Sequence, residues 1–163
     1  MINTRIRPAV SGDAVQMVAL INPLIAAGDN TAHRTLFDID KMKAHYITPA
    51  SLICCHVAIT NGRLSGFQSL TWGGDDLPDG WASIASFVAI DKSGLGIGQK
   101  LFSATWFAAK EAGVTAIDAR IRADNQSGLR YYSGLGFEDY AVLPDLPLSD
   151  GTPVTRIRKR RLI

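Results

Sequence analysis

The chain has 163 residues, a length that suits one domain with a sizeable core. Hydrophobic residues make up 47% and charged residues 20%, the proportions of a globular chain rather than a disordered one. A net charge of +2 is too small for a nucleic-acid binder, and no apolar run approaches the ~20 residues of a membrane span.

The opening Met1-Ile-Asn-Thr-Arg5 carries no signal-peptide core. Cys54 and Cys55 are adjacent within an apolar run. They read as buried thiols in a reducing cytoplasm, not as a loop-closing disulfide or a metal pair. The expectation is a cytoplasmic chain of one domain, residues 1–163, with no metal.

In chain order, Thr4 to Val10 alternates as a strand and stops at Ser11-Gly12-Asp13. Asp13 is placed to cap a helix through Val15, Val18, Ala19 and Ile21, which Asn22-Pro23 kinks or ends. A polar loop spans 27–34, and Asp40 can cap a short helix carrying Met42, Ala44, His45 and Tyr46. Leu52 to Thr60 and Arg63 to Trp72 form a hairpin around Asn61-Gly62. A loop with Asp75, Asp76 and Asp79 leads to Trp81–Ile90, a strand apolar on both faces and therefore central. From Gly96 the period becomes helical, with Ile97, Leu101, Ala104 and Ala108 on one stripe and Gly113 as the stop. Thr115 to Arg122 is a strand, Asn125 opens a short helix through Leu129 and Tyr132, and Phe137–Val142 and Val154–Leu162 close the chain. The basic run Arg156-Ile-Arg-Lys-Arg-Arg161 reads as a charged terminal edge strand. The alternation of elements predicts a mixed α/β or α+β sheet.

Gly94, Gly96 and Gly98 sit where the central strand gives way to a helix. Such a junction aims unpaired N–H groups and the positive end of a helix dipole at the loop, which suits a phosphate or pyrophosphate. A Walker loop fails here, because Leu101 follows Lys100 where a hydroxyl is needed. The dinucleotide fingerprint meets Gln99 at its third glycine, and no doubly wound half precedes it.

The stretch Ser93-Gly-Leu-Gly-Ile-Gly98 resembles the coenzyme-A loop, [QR]-x-x-G-x-[GA], of the GCN5-related N-acetyltransferases (GNAT). Asn125-Gln-Ser-Gly-Leu-Arg-Tyr-Tyr-Ser-Gly-Leu-Gly-Phe137 resembles that family's N-x-x-[AG]-x-x-x-Y-x-x-x-G-F block. Two blocks in the right order around one strand are more specific than a glycine loop. Ser93 departs from the usual Arg or Gln, and Ile90 from a frequent Pro. The resemblance implies a central mixed sheet flanked by helices, with a bulge and splay at the fourth and fifth strands.

It also implies acetyl-CoA as acyl donor. Main-chain groups of Phe87, Val88 and Ala89 would meet the pantetheine arm. Ser93, Gly94, Leu95, Gly96, Ile97, Gly98, Gln99 and Lys100 would surround the pyrophosphate. Asn125 would contact the cofactor arm or simply cap its helix, and Ser127 would contact the cofactor or sit in the first turn. Tyr132 falls where many members carry the acid that protonates the departing thiolate, while Tyr131 is expected to face the core. No base is legible. The fourth strand offers Ser83 and Ser86 but no carboxylate, and Asp118, His33, His56 and the loop acids stay open. Ile21-Asn22, Ile25 and Thr31-Ala32 resemble the phosphinothricin and amino-acid acetyltransferase branch. That implies a small amino-acid-like amine as acceptor, with a protein N-terminus second and a homodimer compatible with either. The reading from another class is a non-catalytic acyl-CoA-binding or regulatory module on the same scaffold.

Overall fold

The computed structural model describes residues 2–28, 31–148 and 150–163, without the side chains of 145 and 146. Asp29 and Asn30 of the 27–34 loop lie outside the described residues. Seven strands, β1 (Thr4–Pro8), β2 (Leu52–Thr60), β3 (Arg63–Trp72), β4 (Trp81–Val88), β5 (Ala116–Arg122), β6 (Glu138–Pro147) and β7 (Pro153–Leu162), form one sheet. Their order is β1-β2-β3-β4-β5-β7-β6, with only β4 and β5 parallel. The helices are α1 (Ala14–Ala27), α2 (Ile39–Met42), α3 (Ile97–Ala112) and α4 (Gln126–Gly134). None is long and apolar enough to cross a membrane.

Strand alternation divides the core. Val57 and Phe67 face α1 and α2, packing with Met17, Ile21 and Met42. Leu70, Ile84 and Ile117 face the other way, toward Phe102 and Ala109 of α3 and Tyr132 of α4. The sheet therefore lies between two helical layers, with β4 at its centre as its two-sided apolar pattern requires.

Several local expectations are corrected. Asp13 does not cap α1 with its side chain; it accepts from the Val10 amide at 2.8 Å and pairs with Arg7 at 2.8 Å. Asn22-Pro23 does not end α1, which runs on with Pro23 inside it to Ala27, while the Asn22 side-chain amide clamps the Phe37 backbone at 2.9 and 3.0 Å. Asp38, not Asp40, caps α2 by accepting from the Lys41 amide at 2.7 Å. The fourth strand stops at Val88 rather than Ile90.

The basic terminal strand is not at an edge. β7 inserts between β5 and β6, and β6 takes the edge. An inner strand tolerates so much charge because partners meet it. Lys159 pairs with Asp139 and donates to Ser133 Oγ. Arg158 pairs with Asp118 at 3.3 Å, and Arg161 lies 4.1 Å over the Trp106 ring.

β4 and β5 pair only at Trp81/Ala116, Ala82/Ile117 and Ser83/Asp118. Beyond Ser83 the two strands part, which is the expected splay. The expected bulge is absent: β4 pairs with β3 in unbroken register from Trp72/Ala82 to Gly66/Val88.

Candidate active site

The splay opens a cleft of about 570 Å³ between the end of β4, the start of α3 and the start of α4. In an antiparallel ladder, alternate residues turn both main-chain groups to the same neighbour. The Ala89 amide donates to the Ser65 carbonyl at 2.9 Å, so Phe87 and Ala85 also turn theirs to β3. Ile84, Ser86 and Val88 are left facing the gap. Of the three residues expected to offer main chain there, only Val88 is oriented to do so. Phe87 lines the cleft and packs its ring on Phe67 at 5.0 Å.

At the far end, Ser93, Gly94, Gly96, Ile97, Gly98 and Gln99 line the cleft, as does Lys92. Gly94 and Gly96 have φ of 78° and 77°, a left-handed conformation that costs glycine nothing but strains a residue with a Cβ. The turn lets α3 begin with its free amides aimed into the cleft. The Lys100 amide is already committed to the Gly96 carbonyl at 3.2 Å, and neither Lys100 nor Leu95 is among the lining residues.

Asn125 and Ser127 come to the same cleft from α4. Asn125 Oδ1 accepts from the Gly128 amide at 3.0 Å and from Ser127 Oγ at 3.1 Å, so it is the helix cap while also lining the cleft.

Tyr131 departs from expectation. It does not turn away into the core but lines the cleft, donating to the Gly98 carbonyl at 2.7 Å and accepting from Gln68 Nε2 at 3.0 Å. A Cβ on Gly98 would come within 2.6 Å of its ring, so this glycine is required by close approach. Burial pushes the Tyr131 phenol up to about 12, with the Gln68 and Ser86 hydrogen bonds acting the other way.

Beside it, Tyr132 shares a hydrogen bond of 2.8 Å with Ser86 Oγ on β4. Burial raises its phenol far above the ordinary value, the neighbouring Tyr131 adds to this, and the Ser86 bond opposes it. Tyr132 therefore holds its proton through the neutral range. Gln68 Nε2 also donates to Ser86 Oγ at 2.8 Å, so Gln68, Ser86, Tyr131 and Tyr132 form one connected polar group under the splay.

A second pocket of about 220 Å³ adjoins the first and shares Ser86, Phe87 and Tyr131 with it. Tyr132, Tyr46, His33, Arg120, Arg122 and Arg156 line it as well, beside Thr31 and Asn125. His33 shares a 2.7 Å hydrogen bond with the Tyr46 hydroxyl through Nε2. Burial, aided by His45 and Lys41, lowers it to about 4, so it is a neutral imidazole at pH 7.

Arg122 is buried and fully engaged. It grips Asp124 twice and donates to the carbonyls of Gly28 and Thr31 at 2.8 and 3.2 Å. The segment after α1 is thereby fastened to β5, which places His33 in the pocket wall.

Among the open candidates, Asp118 lies outside both pockets, 1% exposed and bonded to Tyr140 and Arg158. His56 and the loop acids Asp75, Asp76 and Asp79 also line neither. The arginines and Tyr131 were the residues sequence reasoning missed. Arg120/Arg122 and Arg156/Arg158/Arg160 do recur at the strand period of two, a signal that they share one sheet face.

Residues 24–137 match the model of the acetyltransferase (GNAT) family. No curated protein matches the chain. Among solved structures, a phosphinothricin acetyltransferase from Sinorhizobium meliloti in complex with acetyl-CoA superposes with a TM-score of 0.86 at 18% identity, covering 98% of this chain and 88% of that one. A GCN5-related N-acetyltransferase from Kribbella flavida gives 0.84 at 19%, covering 98% of each. A ribosomal-protein-alanine N-acetyltransferase from Brucella melitensis gives 0.83 at 20%, covering 98% and 99%. With seven-tenths of its length matched to the family model and the splay of β4 and β5 present, the chain belongs to the GNAT family of acetyltransferases.

Proposed function

We propose that this protein moves the acetyl group of acetyl-CoA to the primary amine of a small amino-acid-like acceptor by direct attack. The observation that carries the reading is the continuity of the two pockets. One runs from the free amides of α3 along the open side of β4, and it meets the other at Ser86, where Tyr131 and Tyr132 converge. The pyrophosphate is held by the amides of Ile97, Gly98 and Gln99. The pantetheine arm follows Ile84, Ser86 and Val88, and the thioester reaches the Ser86–Tyr132 pair.

The acceptor enters from the His33 side. Its nitrogen lone pair attacks the thioester carbon, the carbon–sulfur bond breaks, and the thiolate takes the Tyr132 proton. The amine enters unprotonated, and His33, a neutral imidazole lining the acceptor side, accepts the proton that the nitrogen must shed once it has attacked. Holding both substrates in one continuous cleft supplies much of the rate.

The absence of a carboxylate from the described pocket walls favours the second reading, a non-catalytic acyl-CoA module. Release of thiol from acetyl-CoA against a panel of small amines and peptide N-termini separates the two. Turnover on a small amine supports the first reading, and tight coenzyme A binding with no turnover supports the second. Free Cys54 and Cys55 fit a cytoplasmic setting. The homodimer belongs to the same proposal, and sedimentation checks it.

A further inference from the structure

Strand register puts five arginines on one side of the β5–β7 ladder: Arg120 and Arg122 on β5, and Arg156, Arg158 and Arg160 on β7. Three are occupied. Arg122 holds Asp124 and two carbonyls, Arg158 holds Asp118, and Arg160 lies over the rings of Trp81 and Tyr140 at 5.7 and 5.2 Å. Arg120 and Arg156 have no hydrogen bond and no ion pair among the described residues, yet both line the smaller pocket.

We infer that Arg120 and Arg156 form an anion subsite at the acceptor end of the cleft, so that the amine brought to the thioester carries a compact acidic group such as a carboxylate or phosphonate. This rests on the transferase reading above for the direction in which the amine points. Arg120 pairs across the ladder with Arg158, and Arg122 with Arg156. Arg120 and Arg156 are thus diagonal neighbours, about 7–8 Å apart along the backbone, a span over which two guanidinium groups can grip one anion from both sides.

Each guanidinium repels the other while the subsite is empty. The fields of Arg120 and Arg122, after burial, disfavour the charged form of Arg156. A bound anion relieves this, whereas a polyamine or a lysine-rich peptide would add to it. The same pocket is also lined by Ser86 and Tyr132, the pair beside which the transferase reading puts the thioester. An acceptor anchored by its acid at the arginines is thereby held in the pocket that the reacting carbon enters.

The test uses protein saturated with coenzyme A and titrated calorimetrically with amino acids, their methyl esters and aminoalkylphosphonates. Acids should bind about ten- to a hundredfold more tightly than the matching esters, the range for a hydrogen-bonded charge. Arg120→Met and Arg156→Met should each remove that preference without altering coenzyme A affinity, and Arg156→Lys should restore part of it. Equal binding of acids and esters, binding of no acid, or variants that keep the preference would each overturn the subsite. Thiol-release assays run alongside keep the readings apart. Acid binding lost in the variants, with no turnover on any amine, sinks the transferase reading and leaves the subsite standing.

Discussion

The hydroxyl of Tyr131 donates to the carbonyl of Gly98 at 2.7 Å, tying α4 to the first turn of α3. The two sequence blocks that resemble the family's motifs are thereby joined at one point, and both residues line the cleft. Gly98→Ala puts a methyl within 2.6 Å of the Tyr131 ring. It should cost about 1–3 kcal/mol and weaken coenzyme A binding several-fold, read by thermal melting and by fluorescence titration. Tyr131→Phe keeps the ring but removes both this bond and the one the hydroxyl accepts from Gln68, with an expected loss of about 1–2 kcal/mol.

Tyr132 meets Ser86 at 2.8 Å, beside the position proposed for the thioester sulfur. Tyr132→Phe should lower kcat about 100-fold, the low end for a lost general acid, with the KM for acetyl-CoA little changed. Because burial raises this phenol, the wild-type rate should show no decline from its ionisation up to pH 10. Full turnover by the variant removes the acid role.

Arg122 spans 94 residues to reach the Gly28 carbonyl. Arg122→Met leaves the buried Thr31 carbonyl without its Arg122 donor and the Gly28 carbonyl with Arg34 alone. The expected loss is about 2–3 kcal/mol, a fall in Tm of roughly 5–10 °C for a chain of this size. Since His33 rides on the fastened segment, the KM for the amine should rise more than that for acetyl-CoA. An equal rise in both would refute the local account.

Acid should destabilise the protein in two stages. His33 is lowered from 6.5 to about 4, chiefly by burial, and burial also lowers His45 and His56. A folded-state value below the unfolded one means the unfolded chain binds more protons. The contribution is therefore complete above pH 6.5 and is lost as pH falls toward 4. Asp13 and Asp124 are lowered from 3.8 by hydrogen bonds from Arg7 and Arg122; their contribution is lost only below pH 3.8. Urea unfolding between pH 8 and 3 should show a first decline starting near 6.5. His33→Phe should shrink that first decline, leaving the share of His45 and His56, without touching the second.

The helix starting after Gly96, its stop at Gly113, the Asn61-Gly62 hairpin and the central position of β4 were all legible in the sequence. Each depends on a local cause: a glycine conformation, a turn preference, or a side-chain period. The glycine loop and the Asn125–Phe137 block were legible for the same reason. Capping was less so, because Asp13, Asp38 and Asp40 compete within a few residues, and only the fold of the chain around Arg7 and Lys41 selects the partner.

What the sequence by itself determined is the set of elements, the family resemblance and the two ends of the donor cleft, since all of these follow from residues near one another in the chain. What the tertiary structure alone decided is the order in which β7 slips between β5 and β6, the turning of Tyr131 into the cleft, and the meeting of His33 with Arg120 and Arg156. Those depend on strand register and on contacts across dozens of residues. A one-residue change of register reverses the face a side chain takes, and no local pattern fixes that choice.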